Sequence, residues 1–77
     1  MITGGQIRAA RAYARLSAAE VAQRADVARM TVVKAESMDG VPSLTAANLL
    51  AIQTALEAAG VIFGADGSVN FKLAVRE

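Results

Sequence analysis

Residues 17–37 read SAAEVAQRADVARMTVVKAES, and this stretch decides the fold. Ser17-Ala18-Ala19-Glu20 has the form of a capping box, in which the serine hydroxyl accepts from an early helical N–H and the glutamate reaches back to the serine N–H. Val21, Ala22 and Ala25 then supply the apolar side of a short helix ending near Arg24 or Ala25. Asp26 and Val27 make the turn, and aspartate tolerates a left-handed backbone better than most residues. A second helix is expected over 28–37, with Val32 and Ala35 inward and Arg29, Met30, Val33 and Lys34 outward. Ala22 is small where the two helices cross, and Val27, Val32 and Ala35 complete the apolar clamp on their angle. Two short helices around a three- to four-residue turn make a helix-turn-helix. The outer face of its second helix fits a major groove about 12 Å wide, where base edges are distinguishable.

Upstream, Thr3-Gly4-Gly5-Gln6 is another capping box, and a helix is expected over 4–15. Ile7, Ala10 and Ala14 share one face of it, Arg8, Arg11 and Arg15 form a neighbouring stripe, and Leu16 turns inward. Downstream, Asp39-Gly40-Val41-Pro42 reads as a loop. Thr45 is the expected N-cap of a fourth helix carrying Leu49, Ile52 and Leu56, which stops where Gly60 takes a left-handed conformation. The period then changes. Val61-Ile62-Phe63 and 69–75 are strand-like, with Asp66-Gly67 as a hairpin signal between them. The organisation predicted is a helix-turn-helix unit over 1–60 and a β-hairpin over 61–77. A lone hairpin needs something to cover its apolar face, so Phe63, Val69, Phe71, Leu73 and Val75 are expected in the core or in a dimer seam.

Seventy-seven residues allow one domain, and a domain this small buries only about 60% of its unfolded surface, which makes self-association a reasonable expectation. Cysteine and histidine are both absent, so the chain has no disulfide framework, thiol nucleophile or imidazole base. Neither metal, cofactor nor enzymatic activity is expected. The 55% hydrophobic content is inflated by alanine, and the apolar run 44–63 is interrupted by Thr45, Asn48, Gln53, Thr54, Glu57 and Gly60. It reads as an amphipathic helix and a strand, not as a membrane span. With no basic segment followed by an apolar core at its start, the pattern predicts a cytoplasmic protein. Net charge is +1 but uneven: residues 1–34 carry six cations against Glu20 and Asp26, while 35–77 carry Lys72 and Arg76 against five carboxylates. That polarity suits the DNA backbone, although a solvated surface explains it as well.

On the segment QIRAARAYARLSAAEVAQRADVARMTVVKAES, the Pro42-Ser43 loop and the LLAIQTAL helix, the chain resembles the phage-repressor-like helix-turn-helix family, the class of the lambda repressor and Cro, also called Xre-type regulators. The resemblance implies a mainly α fold, a four-helix lambda-repressor-like helix-turn-helix domain here followed by a short C-terminal β-hairpin. It also implies a homodimer acting in transcription regulation, and a structural ion pair between Arg11 and Glu36. Carried over position by position, it makes Arg29, Met30, Val33 and Lys34 the base-reading candidates. Arginine can bond guanine in bidentate fashion, and Met30 or Val33 can rest on a thymine methyl. Ser17, Thr31, Ser37, Arg15, Arg24 and the N–H groups opening the helix that follows Ser17 are candidates for phosphate. Three positions depart from the family pattern: Ala18 replaces the usual glutamine, Asp26 a glycine, and Ala28 a capping serine.

The leading expectation is therefore a sequence-specific double-stranded DNA-binding regulator, a repressor by preference, acting as a homodimer on a pseudo-palindromic operator. The alternative is a protein-binding adaptor, antitoxin-like or anti-activator, that keeps the scaffold and presents the hairpin to a regulatory protein.

Overall fold

The computed structural model describes residues 1–72. Four helices, α1 (Gly4–Ala14), α2 (Ala18–Ala25), α3 (Arg29–Glu36) and α4 (Ala46–Ala58), precede an antiparallel hairpin of β1 (Val61–Phe63) and β2 (Val69–Phe71). No helix among the described residues is long and apolar enough to cross a membrane.

Helix starts follow from side chains that replace missing backbone partners. The Thr3 hydroxyl accepts from Gln6 N–H at 3.1 Å while Gln6 Oε1 accepts from Thr3 N–H at 2.9 Å. Ser17 and Glu20 repeat the exchange at 3.0 and 2.8 Å, and Thr45 accepts from Asn48 N–H at 3.1 Å. Only Ala28, which has no polar atom to offer, leaves its helix without a side-chain cap. α2 ends on Asp26 in the left-handed region (φ 57°), as its residue type allows. α1 ends one residue earlier than expected, because Arg15 is itself left-handed (φ 59°). Its N–H reaches Ala12 O at 3.2 Å and Leu16 N–H reaches Arg11 O at 3.1 Å, which satisfies carbonyls the helix end would otherwise strand.

The core takes one stripe from every helix: Ile7 and Ala10, Val21 and Ala22, Val32 and Ala35, then Leu49, Ile52 and Leu56, closed by Ile2 and Val61. The hairpin lies across α1 and α4. Its register pairs Val61 with Phe71 and Phe63 with Val69, so those four side chains share the inward face while Ile62 and Asn70 face out. Phe63, Val69 and Phe71 pack on the chain's own core, and Phe71 also meets the ring of Tyr13 at 3.9 Å between centroids. Leu73 and Val75 lie outside the described residues. The connection is a five-residue loop, 64–68, in which Gly67 is left-handed (φ 88°) and Asp66 Oδ1 accepts from Ser68 N–H at 3.0 Å.

Two long-range ties hold the start of α1. Gln6 is 5% exposed, and its Nε2 donates to the carbonyls of Gly64 and Ser68, each at 3.1 Å. The same amide thus caps the helix with its oxygen and anchors the hairpin loop with its nitrogen. Gly4 N–H donates to Gly40 O at 2.9 Å, and the approach is so close that a Cβ on Gly4 would sit 1.8 Å from Met38 O and 2.3 Å from Ala35 O. Both obstacles are backbone, so no rotamer change relieves them. Gly4→Ala is expected to cost about 3 kcal/mol as overpacking, read as a drop in melting temperature, whereas Gly40→Ala, with open space at its Cβ, leaves the melting curve nearly unchanged.

Candidate nucleic-acid interface

α2 and α3 are joined by Asp26, Val27 and Ala28. Ala22 (3% exposed) and Val32 and Ala35 (both 0%) fill the space around their junction, with Val27 packed at the edge. With residues 32, 35 and 36 turned inward, helical periodicity turns Met30, Val33 and Lys34 outward, while Arg29, three residues before Val32, is exposed as the first residue of the helix. Arg29, Met30 and Lys34 are exposed and Val33 is half-buried. Met30 keeps 63% of its surface, so the quartet is not absorbed by the protein's own core.

Glu36 fixes the far end of α3. Its carboxylate is 9% exposed and accepts from Arg11 through both oxygens, Nε to Oε2 at 2.7 Å and the other guanidinium arm to Oε1 at 2.9 Å. A further Arg11 nitrogen donates to Leu16 O at 3.0 Å. The hydrogen bond to Glu36 holds the Arg11 guanidinium's pKa above its ordinary value. Arg8, exposed beside it in the stripe, bonds the Glu36 carbonyl and the Asp39 carboxylate.

Among the described residues these are the two ion pairs, and neither uses Arg15, Arg24, Arg29 or Lys34. Four of the six cations in residues 1–34 therefore remain available to an outside anion. Arg15 stands at the α1–α2 corner, and Arg24 stands where α2 borders α4. Two acids stand among them. Asp26 is exposed in the turn, and Glu20 is exposed on α2, its carboxyl held below the usual range by hydrogen bonds from Ser17.

The two helix openings consequently differ. At α2 the Glu20 N–H is taken by Ser17 and a carboxylate sits beside the remaining donors, Ala18 and Ala19. At α3 the Arg29 and Met30 N–H groups have no cap and no acid in the first turn, which suits an anion better. Of the other phosphate candidates, the Ser37 hydroxyl donates to Lys34 O at 2.6 Å and Thr31 is half-buried. Gln23 is also exposed on α2, three residues after Glu20 and so on the same side of the helix. No family model matches the chain, and no curated protein or solved structure matches it.

Removing one member of the Arg11–Glu36 pair leaves a nearly buried charge alone. Arg11→Ala is expected to cost about 3 kcal/mol, the low end for such pairs because Arg11 keeps some contact with water. The Arg11→Met/Glu36→Leu double variant recovers most of that loss in chemical denaturation. For Glu20 the folded-state pKa lies below the unfolded one, so its contribution is present above the unfolded value, near pH 4.5, and fades as pH falls through the folded value. Glu20→Gln, which keeps the box hydrogen bond, should flatten that acid limb in melts taken between about pH 3 and 6.

Proposed function

We propose that the protein is a sequence-specific double-stranded DNA-binding regulator, a repressor by preference, which inserts α3 into the major groove and acts as a homodimer. The observation that carries this reading is the exposed trio Arg29, Met30 and Lys34 with the half-buried Val33 among them, on a helix whose inner side is locked by Val32, Ala35 and the Arg11–Glu36 pair.

Dimensions favour it. Eight residues of helix are about 12 Å long, which spans roughly three to four base pairs at 3.4 Å each. A chain reading so few pairs cannot select one site in a genome. Two copies on half-sites about 34 Å apart double the sequence read and match a pseudo-palindromic operator. Arg29 has the planar donor fork for guanine, and Met30 and Val33 the apolar surface for a thymine methyl. Arg15 supplies a positioning charge, and the uncapped N–H groups of α3 supply phosphate donors.

Selection from a random duplex pool should enrich a two-fold symmetric site. On that site Arg29→Ala should weaken binding by roughly tenfold to a hundredfold and relax one base position, each good base contact being worth about 1–3 kcal/mol. Lys34→Ala should lower the slope of log affinity against log salt by about one if its partner is a phosphate. Both side chains are exposed, so melting temperatures should not move. Unchanged binding in both variants overturns the assignment of α3, and a pool that enriches nothing overturns the DNA reading in favour of the adaptor.

A further inference from the structure

The outer side of α4 has no partner within the fold. Ala47, Leu50, Ala51, Thr54 and Ala58 line an open hollow of about 690 Å³ whose α2 edge is Arg24 and Ala25, and Leu50 stands in it 59% exposed. Their spacing of three and four puts them on one stripe. In the thirteen residues of α4 the sole charge is Glu57, at the C-terminal end of the same side.

We infer that this stripe is where two copies of the chain meet, with their α4 helices antiparallel about a two-fold axis. The inference deepens the homodimer reading above, on which its consequence for DNA rests, but the interface itself is read without DNA. Its shape is self-complementary: one bulky side chain stands among alanines, so each Leu50 has a hollow of matching kind on the other copy. Setting Leu50 opposite the second copy's Thr54 in antiparallel register also sets Glu57 opposite the second copy's Ala47. Ala47 lies in the first turn of α4, a turn that contains no acid of its own, and an anion is favoured at that positive end of the helix dipole. Parallel pairing would instead bring the two Glu57 carboxylates together. A foreign helix offers no such reciprocal match.

The hairpin is the weaker alternative, because Phe63, Val69 and Phe71 already face the chain's own core. Size sets the strength. α4 is about 20 Å long and presents a face about 10–12 Å wide, less than the roughly 800 Å² per partner of a standard stable interface. The association should therefore be reversible and concentration-dependent, and strengthened when two copies occupy neighbouring half-sites.

Sedimentation equilibrium of the full chain without DNA, from about 10 µM to about 1 mM, tests this. The wild-type mass should climb from 7.9 kDa toward twice that value. Leu50→Glu should stay at 7.9 kDa throughout and keep the wild-type melting curve extrapolated to low concentration. Glu57→Lys should loosen the dimer at least threefold, while Ile62→Glu on the outer face of the hairpin should leave it unchanged. A wild type that remains monomeric, a Leu50→Glu variant that still dimerises, or dissociation by Ile62→Glu alone would each overturn the proposal. None of these outcomes depends on whether a duplex pool yields an operator.

Discussion

A carboxylate as enclosed as that of Glu36 persists only if it is paired and hydrogen-bonded, and the rest of the molecule is arranged to meet that demand. Arg11 answers with both ends of its fork and spends another donor on Leu16 O. One side chain thereby joins the middle of α1, the α1–α2 corner and the last turn of α3. Arg8, one turn earlier, bonds the Glu36 carbonyl and carries the link on to Asp39. With its C-terminal end held this way and its inner side filled by Val32 and Ala35, α3 has its orientation set from two directions. The missing cap at Ala28 is thus tolerable, since tertiary contacts rather than local propensity hold this short helix.

The same arrangement changes what the charge distribution means. The basic first half of the chain looks like a uniform attraction for a polyanion, yet two of its cations are committed internally. Those that remain are interspersed with Glu20 and Asp26, whose structural duties at N3 of α2 and in the turn keep two carboxylates near the exposed helices. Such a mixture favours contacts fixed by geometry over indiscriminate adhesion to phosphate.

Local signals were legible and distant ones were not. The capping residues Thr3, Ser17 and Thr45, the left-handed Asp26 and the inward stripe of α3 all follow from neighbours within four residues. The partners of Arg8 lie 28 and 31 residues along the chain, and nothing near either residue marks the pair. Gly4 gave no sign of the backbone pressed against it, and Gln6 read as a cap with no hint of its second task. α4 is apolar nearly all round, yet the helical spacing of Leu49, Ile52 and Leu56 already separates the buried stripe from the exposed Leu50. At the interface, helical spacing marks Met30, Val33 and Lys34 as outward, whereas the exposure of Arg29 depends on its place in the first turn of α3.

The double duty of Gln6 also bears on the order of assembly. Its bonds to Gly64 and Ser68 close a loop of 58 or more residues, an entropic cost of about 3–4 kcal/mol that two neutral hydrogen bonds cannot meet alone. The α2–α3 pair and the hairpin are each local in sequence and can form early, but the docking of one end of the chain onto the other must wait until the central core has brought them together. The strands are therefore the natural last piece to lock and the first to exchange their amide protons with solvent.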